Sequence, residues 1–223
     1  MNPAVPIRSS TQLIEEGSKG QIRQANEALI LAAAERVFAG AGFGGATMAA
    51  IAEGSNLPKA NLHYYFGSKQ TLYRAVLART LEDWLLPTHG ITPKADPRMA
   101  IENYIRAKMA LSAQRPHASK VFANELLHGA PVLKSLLATE LRELVLAKAA
   151  VIDGWISAGL MAPVDSVHLF FTIWAATQTY ADFDVQVSAV LGLSALTRED
   201  YDRATEHVVS LILRGCGLSG AAT

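Results

Sequence analysis

TMAAIAEGSNLPKANLHYYFGSKQTLY, residues 47–73, decides the reading of this chain. Thr47 is an N-cap residue, able to bond the free backbone N–H groups of a first helical turn. Behind it, residues 48–54 form a short helix whose Ala49, Ala50 and Ala52 let a neighbour approach closely. Asn56 falls in the turn of residues 55–57, where a left-handed backbone is wanted, and Asn tolerates that conformation. Pro58 is allowed in the first turn of a second short helix, 59–65. Ile51, Leu57 and Leu62 supply the shared core. The second helix then exposes Lys59, Ala60, Asn61, His63 and Tyr64, a face of donors and aromatics with no carboxylate. Such a face suits phosphates and base edges, and a helix-turn-helix carries it into the major groove. The spacing alone is shared by many helical hairpins.

Upstream, Leu29, Ile30, Ala33, Val37 and Phe38 make an apolar stripe with a helical period over 26–39, stopped by Gly40 and Gly42. Downstream, Ser68 caps a longer helix reaching Trp84, and Pro87 ends it. From Gly54 to Leu81 there is no Asp or Glu, while Lys59, Lys69, Arg74 and Arg79 are present. A basic stretch in a chain of zero net charge is an electrostatic footprint for phosphate or simply a solvated helix face.

The remainder is also helical. Asp96-Pro97 opens a helix through Gln114, Pro116 starts another closed by Gly129, and 132–158 is a long amphipathic helix closed by Gly159. Asp165 caps a helix through Phe183, and Thr197-Arg198-Glu199-Asp200 resembles a capping box opening the last helix, to Arg214. No strand-like alternation appears, so an all-α fold of about nine helices is expected. Its parts are a disordered tail over 1–24, a helix-turn-helix domain over 25–72 and a ligand-binding and dimerisation domain over 73–223, with Thr88–Lys94 as a loop.

Several functions are disfavoured. The 223 residues, half of them apolar, can bury a sizeable core. Cys216 is the sole cysteine, so neither an internal disulfide nor a cysteine zinc site is possible. The first 24 residues read as neither signal peptide nor anchor, and the apolar run Leu169–Ala176 is too short to span a bilayer. A soluble cytoplasmic protein without a membrane partner is expected. Gly40-Ala41-Gly42-Phe43-Gly44-Gly45 has the spacing of a dinucleotide loop, but follows a helix rather than a strand. Glu125 and His128 have the spacing of a di-iron pair, but the rest of the ligand set is missing. No nucleophile elbow is present. Neither metal, cofactor nor catalysis is expected.

The segment around residues 26–77, with Thr47–Glu53, Leu57–Phe66, Ser68-Lys69 and Leu72-Tyr73, resembles the TetR family of regulators. The resemblance implies that Thr47, Tyr64 and Lys69 contact phosphates and that Lys59, Asn61 and His63 lie in or beside the groove of double-stranded operator DNA. Pro58 and Ala60 depart from the polar residues common there. It also implies a homodimer, since one short helix reads too few base pairs for specificity. The faces of 165–183 and 198–214, with Phe170, Ile173, Val208, Val209, Leu211 and Ile212, are the expected pairing surface; the lesser alternative is that they pack within one chain.

Phe171, Trp174, Gln178 and Asp182 share one face of the helix 165–183. A Gln amide among aromatics is costly to bury without partners. It offers a donor beside an acceptor, the complement of a cyclic imide, and Trp174 could stack on a flat ring. The residues alone allow Gln178 to bond another helix and both tryptophans to be plain core. The runs Trp84–Pro87, Gly129–Pro131 and Ile173–Phe183 resemble pyrimidine-responsive members of the family. That resemblance implies a small-molecule effector, uracil or thymine, that releases a repressor from its operator. It makes Trp84, Trp174 and Gln178 pocket residues, with Phe122 and Tyr180 as further candidates.

Overall fold

The structure is a computed structural model that describes residues 10–218, with side chains from Gly20 onward. Its helices are α1 (Ser10–Gly45), α2 (Met48–Ser55), α3 (Lys59–Phe66), α4 (Lys69–Leu85), α5 (Pro97–Gln114), α6 (Pro116–Leu127), α7 (Arg142–Ser157), α8 (Ser166–Asp182), α9 (Asp184–Leu191) and α10 (Arg198–Gly215). A 3-10 turn at Leu86–Gly90 follows α4, and a short turn and a wide π turn at Leu137–Leu141 lead into α7. No strand occurs among the described residues.

Side-chain caps set half of the helix starts. Asp96 accepts from the Met99 N–H, Asp165 from the His168 N–H and Ser68 from the Thr71 N–H. Thr197 and Asp200 close a reciprocal capping box at α10. Each such cap is worth about 1 kcal/mol. Two features differ from expectation. The first helix begins well before its apolar stripe; of the tail expected over 1–24, residues 1–9 lie outside the described residues, and from Ser10 the backbone is helical. The short helix α9 was not expected; Phe183 breaks the helical geometry and the chain resumes at Asp184.

The chain divides into two compact units, Met1–Val76 and Leu77–Thr223. The division falls inside α4, about one helical turn beyond residue 72. In the first unit α1 packs on α2, and α2 on α3. Ile30, Ala33, Ala34, Phe38, Ile51, Leu62, Leu72 and Val76 are buried there, and the Phe38 and Tyr73 rings meet edge to face at 5.0 Å. Leu57 is only half-buried. By length and composition the stretch Gly20–Gly45 could cross a membrane, which the sequence reading missed; of its apolar stripe Ile30, Ala33 and Phe38 lie in this core, while Val37 is half-buried and Leu29 is exposed.

In the second unit α5 packs against both α8 and α10, and α6 against α8. The core joins Ile101, Tyr104, Ile105, Phe170, Ile173, Val208, Val209, Ile212 and Cys216. This corrects the expected pairing surface. Phe170, Ile173, Val208, Val209 and Ile212 are buried within their own chain, and only Leu211 of that set is exposed. The apolar faces of α8 and α10 are used on α5, because one chain needs them for its own core.

Candidate nucleic-acid interface and effector site

Within the first unit, the Thr47 hydroxyl accepts from the Ala50 N–H at 3.1 Å and fixes the start of α2. The hydroxyl proton remains available, and Thr47 is exposed. α2 ends at Asn56, whose φ of 54° and ψ of 34° are left-handed as the sequence required. The Leu57 N–H returns to the Ala52 carbonyl across that turn. Arg36 donates to the Gly54 carbonyl at 2.8 Å and ties the turn to α1. α3 buries Leu62 and exposes Lys59, Ala60, His63 and Tyr64; Asn61 is half-buried. Tyr64, 75% exposed, rests its ring against Tyr65. The His63 ring donates from Nδ1 to the Gly67 carbonyl at 2.9 Å, since a carbonyl can only accept. Its Nε2 is therefore the ring nitrogen left for another partner.

Lys69 is placed differently from the other predicted contacts. Its ammonium donates to the carbonyls of Phe43 at 2.7 Å and Ala46 at 2.8 Å, and lies 4.6 Å from the centroid of the Phe43 ring. A cation here neutralises the carbonyl end of α1, where Gly42 leaves helical geometry with φ 67°. The glycine run Gly40–Gly45 is thus the terminus of a helix.

The second site lies within the second unit. Trp84 on α4 is nearly buried, and its indole meets the Phe122 ring of α6 edge-on at 4.7 Å. On α5, Lys108 is 2% exposed and its Nζ sits 3.9 Å from the centroid of the Trp84 ring. The ammonium has no hydrogen bond among the described residues. Burial pushes it down to about 7, against the pull of Asp182. Asp182, at the end of α8, accepts from the Ser119 hydroxyl. Burial raises its carboxyl above the usual range, opposed by Ser119, Lys108 and Lys120. Both charges move toward neutrality, so desolvation outweighs their mutual attraction.

Trp174 and Gln178 stand one turn apart on α8, with Asp182 a further turn on. Trp174 is half-buried and donates from Nε1 to the Tyr104 hydroxyl at 2.7 Å. Burial pushes that phenol up to about 12. Gln178 is half-buried, and its amide has no hydrogen bond among the described residues. Trp84 and Phe122 are brought into contact, while Trp174 and Gln178 share a helix face. Tyr180 is not with them. Two residues past Gln178, about 200° around the helix, it stacks obliquely on Tyr201 and lines a separate groove of about 600 Å³ with Gln186, Val190 and Arg203.

Lys108 escaped the sequence reading. Its signal was present: it is the one charged residue on the buried face of α5, among Ile101, Tyr104, Ile105, Met109 and Ser112. Glu125 is accounted for by structure, accepting from the Val132 and Leu133 N–H groups at 2.6 and 3.2 Å.

Residues 30–76 match the family model described as bacterial regulatory proteins, tetR family, and residues 77–219 match that described as YcdC-like protein, C-terminal region. The chain is 41% identical over 199 residues to the HTH-type transcriptional regulator RutR of Escherichia coli (strain K12), covering 89% of this chain and 94% of that one. Its backbone resembles a bacterial regulatory protein in the tetR family from Rhodococcus RHA1, with TM-score 0.67 and 20% identity over 89% of this chain and 98% of that one. It also resembles the ketosteroid transcriptional regulator KstR2 of Mycobacterium tuberculosis, with TM-score 0.67 and 16% identity over 85% and 94% of the two chains.

Proposed function

This chain belongs to the TetR family of bacterial regulatory proteins, and from that premise we propose that it releases operator DNA on binding a pyrimidine base, uracil or thymine. It is a ligand-responsive, DNA-binding transcriptional regulator. The pyrimidine assignment rests on one observation above all. The Gln178 amide is half-buried one turn from Trp174 on the same helix and lacks a hydrogen-bond partner among the described residues. A donor and acceptor side by side, next to an indole, complement the edge and face of a cyclic imide. The 41% identity to RutR over most of both chains supports the same effector class.

α3 would enter the major groove, with Lys59, Ala60, Asn61 and His63 near the bases and Thr47 and Tyr64 on phosphates. Lys69 would act on DNA mainly by holding the α1 terminus, with any phosphate contact made beside that duty. Two copies would read half-sites about 34 Å apart or a multiple of it. Their shared surface would use Phe171 and Leu211, with Val185, Val190 and Leu191 of α9, all exposed and apolar. The protein would act in the cytoplasm and perform no covalent chemistry.

Calorimetry of the full chain with uracil, thymine and a bile-acid-like sterol tests the effector. The expected result is one pyrimidine per subunit and no heat with the sterol. Silence with both pyrimidines discards the proposal. A duplex selected by the protein from a random pool then serves as operator, and uracil should weaken its binding about 5- to 150-fold, the usual range of coupling.

A further inference from the structure

Lys108 is an unusual element for a protein core. A lysine 98% buried normally finds a carboxylate or several carbonyls, because an unpaired buried charge is expensive. Here the ammonium has no hydrogen-bond acceptor among the described residues; its close neighbour is the π face of Trp84, at 3.9 Å. From α8, Asp182 faces it electrostatically; Asp182 is itself held by Ser119 of α6, with Lys120 of α6 and Asp184 of α9 as nearby charges. From α4 comes the Trp84 indole, and from α6 the Phe122 ring against that indole. The ammonium thus lies over a ring and in the field of a carboxylate that also accepts from the Ser119 hydroxyl.

We infer that Lys108 passes effector occupancy to Trp84: its ammonium is seated on the Trp84 ring in the free site and is drawn off that ring by a carbonyl oxygen of the bound effector. The proposal rests on the pyrimidine reading for the identity of that carbonyl, and on the geometry of α4 and α5 for the seat. An ammonium on an indole is held by the ring quadrupole. A carbonyl oxygen offers the ammonium a charge-assisted hydrogen bond, which the ring face does not, so the exchange runs toward the effector. Trp84 then loses the group that fixes its ring. Trp84 lies on α4, a single helix that begins at Lys69 beside the DNA-binding hairpin. Lys108 is therefore a positioning residue for the switch as well as an effector contact.

The seat is tested without any effector. The full chain is labelled with 5-fluorotryptophan, and the Trp84 resonance is assigned from a Trp84→Phe variant. The Trp84 signal should titrate with a midpoint near 7, and the titration should vanish in Lys108→Met. A Trp84 signal indifferent to pH overturns the seat. The exchange is tested by the ratio of operator affinities without and with saturating uracil. In Lys108→Met this ratio should fall to about two or below while uracil still binds, more weakly by about tenfold or more. Lys108→Arg, which keeps the charge, should retain part of the ratio. A merely structural lysine would change the melting temperature and leave the ratio unchanged. A Lys108→Met protein released from DNA as fully as wild type overturns the inference. Should Trp84 titrate while uracil moves no resonance, the seat is supported and the pyrimidine reading is the part that fails.

Discussion

The Lys69 ammonium donates to the Ala46 carbonyl at 2.8 Å, closing the end of α1 immediately before the Thr47 cap of α2. One side chain of α4 therefore fixes the end of α1 and the link that leads into α2. A charged hydrogen bond of this kind, placed at the carbonyl end of a helix, contributes about 1–3 kcal/mol. Lys69→Ala should accordingly lower the stability of the first unit by about 1–2 kcal/mol. Hydrogen exchange at residues 43–47 should rise with it. Unchanged exchange there, with weakened DNA binding, would assign Lys69 to phosphate instead.

Lys59 gives the contrasting case. It is exposed at the start of α3 and makes no ion pair among the described residues. Lys59→Ala should leave the melting temperature within about 1 °C, as surface changes usually do. It should reduce the slope of log affinity against log salt by about one if it meets phosphate. Should discrimination at a single base pair collapse while the slope holds, Lys59 reads a base edge.

Asn56 supports a prediction about the turn alone. Its left-handed φ of 54° costs a residue with a Cβ about 1–2 kcal/mol, less for Asn and nothing for Gly. Asn56→Ala should destabilise the hairpin by about 1 kcal/mol, and Asn56→Gly should be near neutral. Chemical denaturation of the three proteins checks the order Gly ≈ Asn > Ala; an Ala protein as stable as wild type would refute the strained-turn argument.

Lys108 also predicts a dependence of stability on pH. Its folded value near 7 lies below the ordinary lysine value of 10.5. Between those values the unfolded chain binds more protons than the folded one, so this group makes stability rise with pH across that window. Below about pH 7 the buried charge is fully unfavourable. Lys108→Met, similar in length and uncharged, should gain stability over wild type at pH 6 and lose that advantage by pH 10. Melting curves at the two values decide it, and a difference independent of pH would show that Lys108 is not buried as an ammonium.

How much of this was legible depended on the range of the interaction. Thr47, Asn56, Asp96, Asp165 and the Thr197–Asp200 box act on backbone within four residues, and each does what the sequence indicated. The face of α3 followed from helical spacing in the same way. What failed to be legible was tertiary. Lys69 reads as a free cation until α1 is laid beside it. Phe170 and Val208 read as a pairing surface until α5 covers them. The resemblance makes Tyr180 a candidate beside Gln178, though a two-residue step turns it to the far side of α8. Lys108 sits at an apolar position whose partner, Trp84, is on another helix.

The last prediction concerns Gln178. Its amide is the polar group on the shared face of α8 that lacks a hydrogen-bond partner among the described residues, whereas the Trp174 indole already donates to Tyr104. Gln178→Leu keeps similar bulk and removes both a donor and an acceptor. Losing two hydrogen bonds in a desolvated site, each worth about 0.5–1.5 kcal/mol net, should weaken uracil by about 5- to 150-fold. Leaving the imide edge unpaired adds to that loss, so the operator response to uracil should disappear at concentrations that release the wild type. The melting temperature without ligand should stay the same or rise slightly, because an unpaired amide has been replaced by an apolar side chain. Calorimetry and operator release, measured on the same preparations, separate the possibilities. Equal uracil binding by both proteins would take Gln178 out of the site. A fall in melting temperature of several degrees would mean that Gln178 is a structural residue whose partner forms only in solution, and the effector would then have to be recognised through Lys108 and Asp182 instead.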